Sequence, residues 1–133
     1  MHTQEKILDK IFKIKKELKD NPKDSSLYLK LGKQYLKLED FKFTEDAINC
    51  YKIAYKLNKN SNTALKIANL YMNNANAAYA YKYYLKAIKL SPENEDIICK
   101  AKECAFEYYL EEYVEEKYKN EIEEKLIKYT KKD

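Results

Sequence analysis

The sequence has no arginine, one glycine, two prolines, one histidine and three cysteines among its 133 residues. Each shortage excludes something. Because every basic residue is Lys, the planar two-pronged grip on phosphate, carboxylate or guanine is closed. Lys, Asn, Ile and Tyr are abundant together, which points to coding bias, so the choice of Lys over Arg says little about function. One glycine and two prolines cannot supply the turns of a multi-stranded sheet, and one glycine cannot build a phosphate-cradling loop. The sole histidine, His2, stands beside the N-terminus, so nucleophile–base catalysis lacks its usual base. Cys50, Cys99 and Cys104 are an odd set without metal-ligand spacing. On a helix Cys99 and Cys104 point about 140° apart, which opposes a bridge or a shared metal and leaves small buried hydrophobes. Apolar runs are only a few residues long, so nothing reads as a membrane span or a secretory signal. A cytoplasmic protein is the expectation.

What is present fits a folded helical domain. Hydrophobic residues make up 45% of the chain, enough to argue against disorder although 36% of it is charged. The 26 basic residues are scattered among 22 acidic ones, so no coherent basic stripe for nucleic acid is visible.

Along the chain, Thr3 is placed to cap a first helix over 3–20, with Ile7, Ile11, Ile14 and Leu18 on one stripe. Asn21-Pro22 ends it, because proline cannot continue the ladder and pushes its neighbour out of the helical region. Asp24 or Ser25 caps a second helix with Tyr28, Leu31 and Tyr35 at spacings of three and four, and Gly32 beside them. After the loop Glu39–Phe43, Thr44 is the expected cap of a third helix running to Leu57. Phe43 and Ile48 are spaced as a hydrophobic staple, and Ala47, Tyr51, Ala54 and Leu57 face inward. Two more helices are predicted from Ser61 onward, with a break at Asn73-Asn74-Ala75-Asn76 and a stop at Ser91-Pro92.

These segments repeat. Ser25, Tyr28, Leu31, Gly32 and Tyr35 correspond to Ser61, Ala64, Ile67, Ala68 and Tyr71 at an offset of 36. Ala47, Tyr51, Ala54 and Leu57 correspond to Ala80, Tyr84, Ala87 and Leu90 at an offset of 33. The difference fits an insertion in the Glu39–Phe43 loop, where insertions disturb little. A helix opened by Asn94 continues the series at an offset of 34, with Ile98, Ala101 and Ala105 replacing Ala64, Ile67 and Tyr71. Helix pairs of this kind cannot bury their apolar faces alone and stack on their neighbours.

The residues resemble tetratricopeptide repeats, whose pattern is a 34-residue helix pair. Tyr28, Leu31, Gly32 and Tyr35 with Ala47, Tyr51 and Ala54 match one repeat (25–60), and Tyr71, Ala80, Tyr84, Ala87 and Pro92 match a second (61–94). Residues 95–129 look like a degenerate third repeat or a C-terminal capping helix. Lys59 stands where the closing proline is usual, and Lys102 where glycine or alanine is usual. The resemblance implies an all-α fold: a single domain over 1–133 forming a right-handed α-solenoid of antiparallel helix pairs, with flanking helices that bring the total to about seven.

From Tyr108 to Tyr129, Leu110, Val114, Tyr118, Ile122 and Leu126 step by four, and Glu115–Lys119, Glu121–Lys125 and Glu124–Lys128 are spaced as ion pairs. The step drifts round a straight helix, which suits a capping helix lying across the preceding pair; a dimerisation helix is the alternative. Glu111, Glu112, Glu115 and Glu116 read as a solvated face. Tyr79, Tyr81, Tyr83 and Tyr84 stand among lysines, a pattern open to base stacking. Helical spacing instead puts Tyr84 on the packed face and Tyr79 with Tyr83 on another, between adjacent second helices.

No catalytic, cofactor or metal set is nominated, and an enzyme is not expected. The resemblance implies a non-catalytic protein–protein interaction module, whose first helices line a concave groove for a peptide segment or a partner's helix. It would place Ser26, Leu29, Lys33 and Leu36 on that groove from the first repeat. Asn62, Leu65, Asn69, Met72 and Asn73 would come from the second, and Asp96, Cys99, Glu103 and Phe106 from the third. The partner is then a protein or peptide, with neither nucleic acid nor membrane expected. Self-assembly through terminal helices or solenoid edges is the alternative. At the positions where some family members hold a chaperone's C-terminal carboxylate, this chain has Leu29, Lys33, Lys66, Asp96 and Lys100. Only Lys100 keeps the expected charge at its place, which disfavours that ligand.

Overall fold

The computed structural model describes residues 2–112 together with 124, 125, 127 and 128. The described residues form six α-helices and no strand: α1 (His2–Asp20), α2 (Ser25–Lys37), α3 (Lys42–Leu57), α4 (Ser61–Asn73), α5 (Ala77–Leu90) and α6 (Glu95–Glu112). Within the chain α1 packs on α2, α2 on α3, α4 on α5 and α5 on α6. The helices fall into two compact units, Met1–Lys59 and Asn60–Asp133. None of the described helices is long and apolar enough to cross a membrane.

In the first unit, Ile7, Ile11 and Ile14 of α1 are buried with Leu27 and Leu31 of α2 and Cys50 of α3, and Leu18 is packed at the edge of this cluster. Burying each large aliphatic side chain contributes about 1.5–3 kcal/mol, so the stripe predicted for α1 is what docks it. Thr3 lies inside α1 rather than ahead of it. Asp24 caps α2, its carboxylate accepting from the Ser26 amide at 3.0 Å and the Ser26 hydroxyl at 2.6 Å. The crossing of α2 with α3 is close because Gly32 has no side chain. A Cβ there would lie 3.1 Å from the Tyr51 ring and 3.3 Å from the Ala47 carbonyl.

The start of α3 differs from expectation. The helix begins at Lys42, and Thr44 sits in its first turn instead of capping it. The residue at the cap position, Phe41, makes no side-chain cap bond, and Asp40 Oδ1 accepts from the Lys42 amide at 3.1 Å. Counted from the matched Ala47 and Ala80, α3 therefore starts two residues earlier than α5, so part of the insertion is wound into the helix. Phe43, being inside the helix, no longer stands where a staple residue must, and it stacks on Tyr35 at 6.0 Å. Leu57, expected to face inward, is 41% exposed, as is its counterpart Leu90 at 43%. Both are the last residues of their helices.

In the second unit, Asn60 caps α4 and Asn76 caps α5, each side-chain oxygen accepting an amide two or three residues into its helix. Ala64, Ile67 and Ala68 of α4 meet Ala80, Tyr84 and Ala87 of α5, all buried. Ser91 Oγ donates to Ser61 Oγ at 2.8 Å, tying the end of α5 to the start of α4. On the other side α6 buries Ile97, Ala101, Cys104 and Ala105, and the Cys104 thiol donates to the Ala77 carbonyl at 3.2 Å. Ile97 and Cys104, not named beforehand, join Ala101 and Ala105 on that face, whereas Ile98 is only half-buried. Lys102 is exposed, so its missing small residue costs this packing nothing.

Tyr79 and Tyr83 both stack on Tyr71 of α4, at 5.3 and 6.0 Å between ring centres. The stripe through Val114, Tyr118, Ile122 and Leu126, its capping role, and the Glu115–Lys119 and Glu121–Lys125 pairs fall outside the described residues. Glu124 and Lys128 are described and form no ion pair.

Candidate functional site

The helix that organises the candidate site is α4, whose inner face packs on α5. Ile67 and Ala68 are fully buried against α5, which turns Asn62, Leu65, Asn69, Met72 and Asn73 outward at helical spacing. Asn62 and Asn73 are exposed, and Leu65, Asn69 and Met72 half-buried.

The chain after α4 turns by a tight device. The Asn76 amide donates to the Tyr71 carbonyl at 2.9 Å and the Ala75 amide to the Met72 carbonyl at 3.0 Å, the paired bonds of a Schellman motif. Its central residue normally is glycine, but here Ala75 takes the left-handed conformation at φ 56°. A side chain in that region costs about 1–2 kcal/mol.

Two adjoining hollows lie along the free face. One, of about 410 Å³, is lined by Asn69, Met72, Asn73, Tyr84, Lys100 and Glu103. The other, of about 520 Å³, is lined by Met72, Ala75, Glu103, Phe106 and Glu107. They share Met72 and Glu103, so α4 forms one wall and α6 the other. Asn69, Met72, Asn73 and Glu103, nominated from sequence, are thus brought together; Phe106 joins them at 60% exposure. Asn62 and Leu65 lie on the same helix but outside these hollows, and so do Asp96 and the exposed Cys99 on α6. Ser26, Leu29, Lys33 and Leu36 belong to α2 in the first unit, Ser26 and Lys33 exposed, Leu29 half-buried and Leu36 39% exposed.

The feature that sequence reasoning missed is Tyr84. Its ring is packed, 3% exposed, yet its hydroxyl crosses beneath α4 and donates to Asn69 Oδ1 at 2.6 Å. Burial above all, with the neighbouring Cys104 and Glu103 adding to it, pushes the phenol up to about 12, so it is a donor throughout the physiological range. With its oxygen engaged, Asn69 presents only its amino group, which has no partner among the described residues. The usable sign was the tyrosine itself: a buried phenol seeks a partner for its hydroxyl, and α4 carries the nearest polar side chains. Lys100, Ala75 and Glu107 were likewise not nominated as groove residues; Lys100 and Glu107 flank Glu103 at three and four residues along one helix face.

Burial pushes the Cys50 thiol up to about 11, which keeps it protonated and unreactive. The hollows therefore offer amide and ammonium donors, two carboxylates and an apolar floor: a set for recognition by hydrogen bonds and contact. No protein-family model matches the chain, and no curated protein matches it.

Proposed function

We propose that the chain is a tetratricopeptide-like, non-catalytic interaction module. In this reading its helix pairs are successive units of a right-handed α-solenoid, and it holds an extended peptide or a partner's helix along the free face of α4. Burial of matching small residues in both pairs supports the repeat reading: Ala47 and Ala54 in one, Ala80 and Ala87 in the other, with Gly32 and Ala68 opposite them.

One observation carries the binding reading, the Tyr84–Asn69 hydrogen bond. It engages the Asn69 side-chain oxygen at 2.6 Å in a residue that lines the hollow, which leaves the amino group as the donor for a peptide carbonyl. Met72 and Leu65 add adaptable apolar contact. The test is partner capture by the intact chain and by a variant carrying Leu65→Ala and Asn69→Ala. Both positions are half-buried, and Asn69→Ala leaves the Tyr84 hydroxyl without its acceptor, so the variant is expected to melt lower yet remain folded at 25 °C by circular dichroism while capturing far less. Equal capture would refute the groove assignment.

Self-association is the second reading, favoured by apolar side chains bared in the first unit: Leu8 at 51% and Phe12 at 60% on the terminal helix α1, and Phe41 at 89%. Light scattering over a concentration series separates the two. A monomer up to millimolar concentration removes the second reading and leaves the first.

A further inference from the structure

The larger hollow has a chemistry of its own. Glu103 and Glu107 stand one turn apart on α6, both exposed, and neither has an ion-pair partner among the described residues. Like charges at this spacing repel by a few tenths of a kcal/mol. Met72, Ala75 and Phe106 line the same hollow.

We propose that this hollow receives a lysine or arginine side chain of the bound segment, its alkyl stem lying on Met72 and Phe106 and its cation held by Glu103 and Glu107. The proposal rests on the groove reading and adds the partner's chemistry to it. Three considerations converge. Two carboxylates without an ion-pair partner among the described residues define the charge the occupant must carry. Among the described residues the hollow supplies two carboxylates beside apolar side chains, fewer ligands than a protein-built metal site uses. Long basic side chains lay their stems along apolar surface while the head stays at charge, and the exposed ring of Phe106 adds attraction for a cation over its face.

The adjoining hollow fixes what lies next to that side chain. There Asn69, Asn73 and Lys100 supply donors, suited to main-chain carbonyls. The occupant is therefore a segment with a basic residue beside backbone left free to accept.

The experiment uses the full chain and a display library of random twelve-residue peptides. Selection is run on wild type, on the Glu103→Gln/Glu107→Gln variant and on Asn69→Ala, with affinities of the recovered peptides measured by fluorescence anisotropy. The expected result is a basic residue fixed in the wild-type peptides and an affinity loss of about tenfold in the double-Gln variant, as two exposed ion pairs imply. Replacing that peptide residue by norleucine should cost wild type the same factor and the double-Gln variant nothing further. Peptides that need Asn69 but show no basic preference, and bind the double-Gln variant equally, overturn the inference while leaving the groove reading standing. Peptides indifferent to all three side chains overturn both. Displacement of the peptide by millimolar calcium chloride, absent in the double-Gln variant, would show the carboxylates to be a cation site and also overturn it.

Discussion

Replacing Gly32 by alanine separates two opposed effects whose signs differ. In an exposed helix interior the change stabilises by about 0.8–1.0 kcal/mol, because alanine loses less backbone freedom on folding. At the α2–α3 crossing the added methyl would sit 3.1 and 3.2 Å from two carbons of the Tyr51 ring and 3.3 Å from the Ala47 carbonyl oxygen. Carbon pairs prefer about 3.5–4.0 Å, so three contacts are tight at once. The ring has little room to yield, since Tyr51 is 4% exposed, and the carbonyl belongs to the backbone of a helix whose Ala47 is fully buried. Overpacking of this kind costs about 1–3 kcal/mol, so the net expectation is destabilisation of about 1 kcal/mol. Urea denaturation followed by helical circular dichroism should show a lower midpoint at unchanged slope, with amide exchange faster in α2. The control is the same substitution in a Tyr51→Leu background, which removes both crowded ring carbons. There the penalty should shrink, and the coupling between the two sites should be positive and near the size of the clash. A raised midpoint for Gly32→Ala in the wild-type background would refute the close crossing.

The other predictions concern the second unit and one orphan atom. Ala75→Gly should raise the urea midpoint by the equivalent of about 1 kcal/mol, since glycine takes the left-handed conformation without penalty; a lower midpoint would count against the Schellman geometry. Tyr84→Phe should cost about 1 kcal/mol for the lost hydrogen bond and weaken peptide binding by freeing the Asn69 amide to turn. It should also blunt alkaline unfolding. The folded chain keeps the Tyr84 proton up to about 12 against an ordinary 10.0, and the Cys50 proton up to about 11 against 9.0. The unfolded chain therefore loses protons first, and stability is intact below about pH 9 and falls as pH rises towards 12. Midpoints measured across that window should fall less steeply above pH 10 in Tyr84→Phe, and an unchanged slope there would show the phenol is not protected. Gln34→Met should be neutral or stabilising by about 1 kcal/mol in the same assay, because Gln34 Oε1 is buried without a partner.

Helix positions were legible where periodicity and punctuation agree. Asn21-Pro22 and Ser91-Pro92 stop α1 and α5 at Asp20 and Leu90, because proline acts through local sterics that distant packing does not override. Small residues at fixed offsets likewise located both crossings. The start of α3 was misread because Thr44 and Asp40 are both competent caps, and the choice between them was made by Phe43. Its stacking on Tyr35 rewards winding that turn into the helix, and this contact joins residues eight apart that no local pattern links.

The candidate site shows the same division. The outward face of α4 follows from knowing its inward face, so Asn69, Met72 and Asn73 were readable from spacing alone. What gives that face a direction came from elsewhere: a phenol from the buried side of α5 and a second carboxylate, Glu107, beside the expected Glu103 on α6. Sequence period assigns each side chain to a face by its Cα, but a tyrosine is long enough for its ring to belong to the core and its hydroxyl to a surface. Tyr84 does both, and that is why the side chain with the strongest claim to be mere packing also sets the orientation of the donor at the centre of the hollow. The same reasoning ranks the variants: Tyr84→Phe keeps the packing and removes the orientation, so its effect on binding should exceed its effect on stability when both are expressed in the same units.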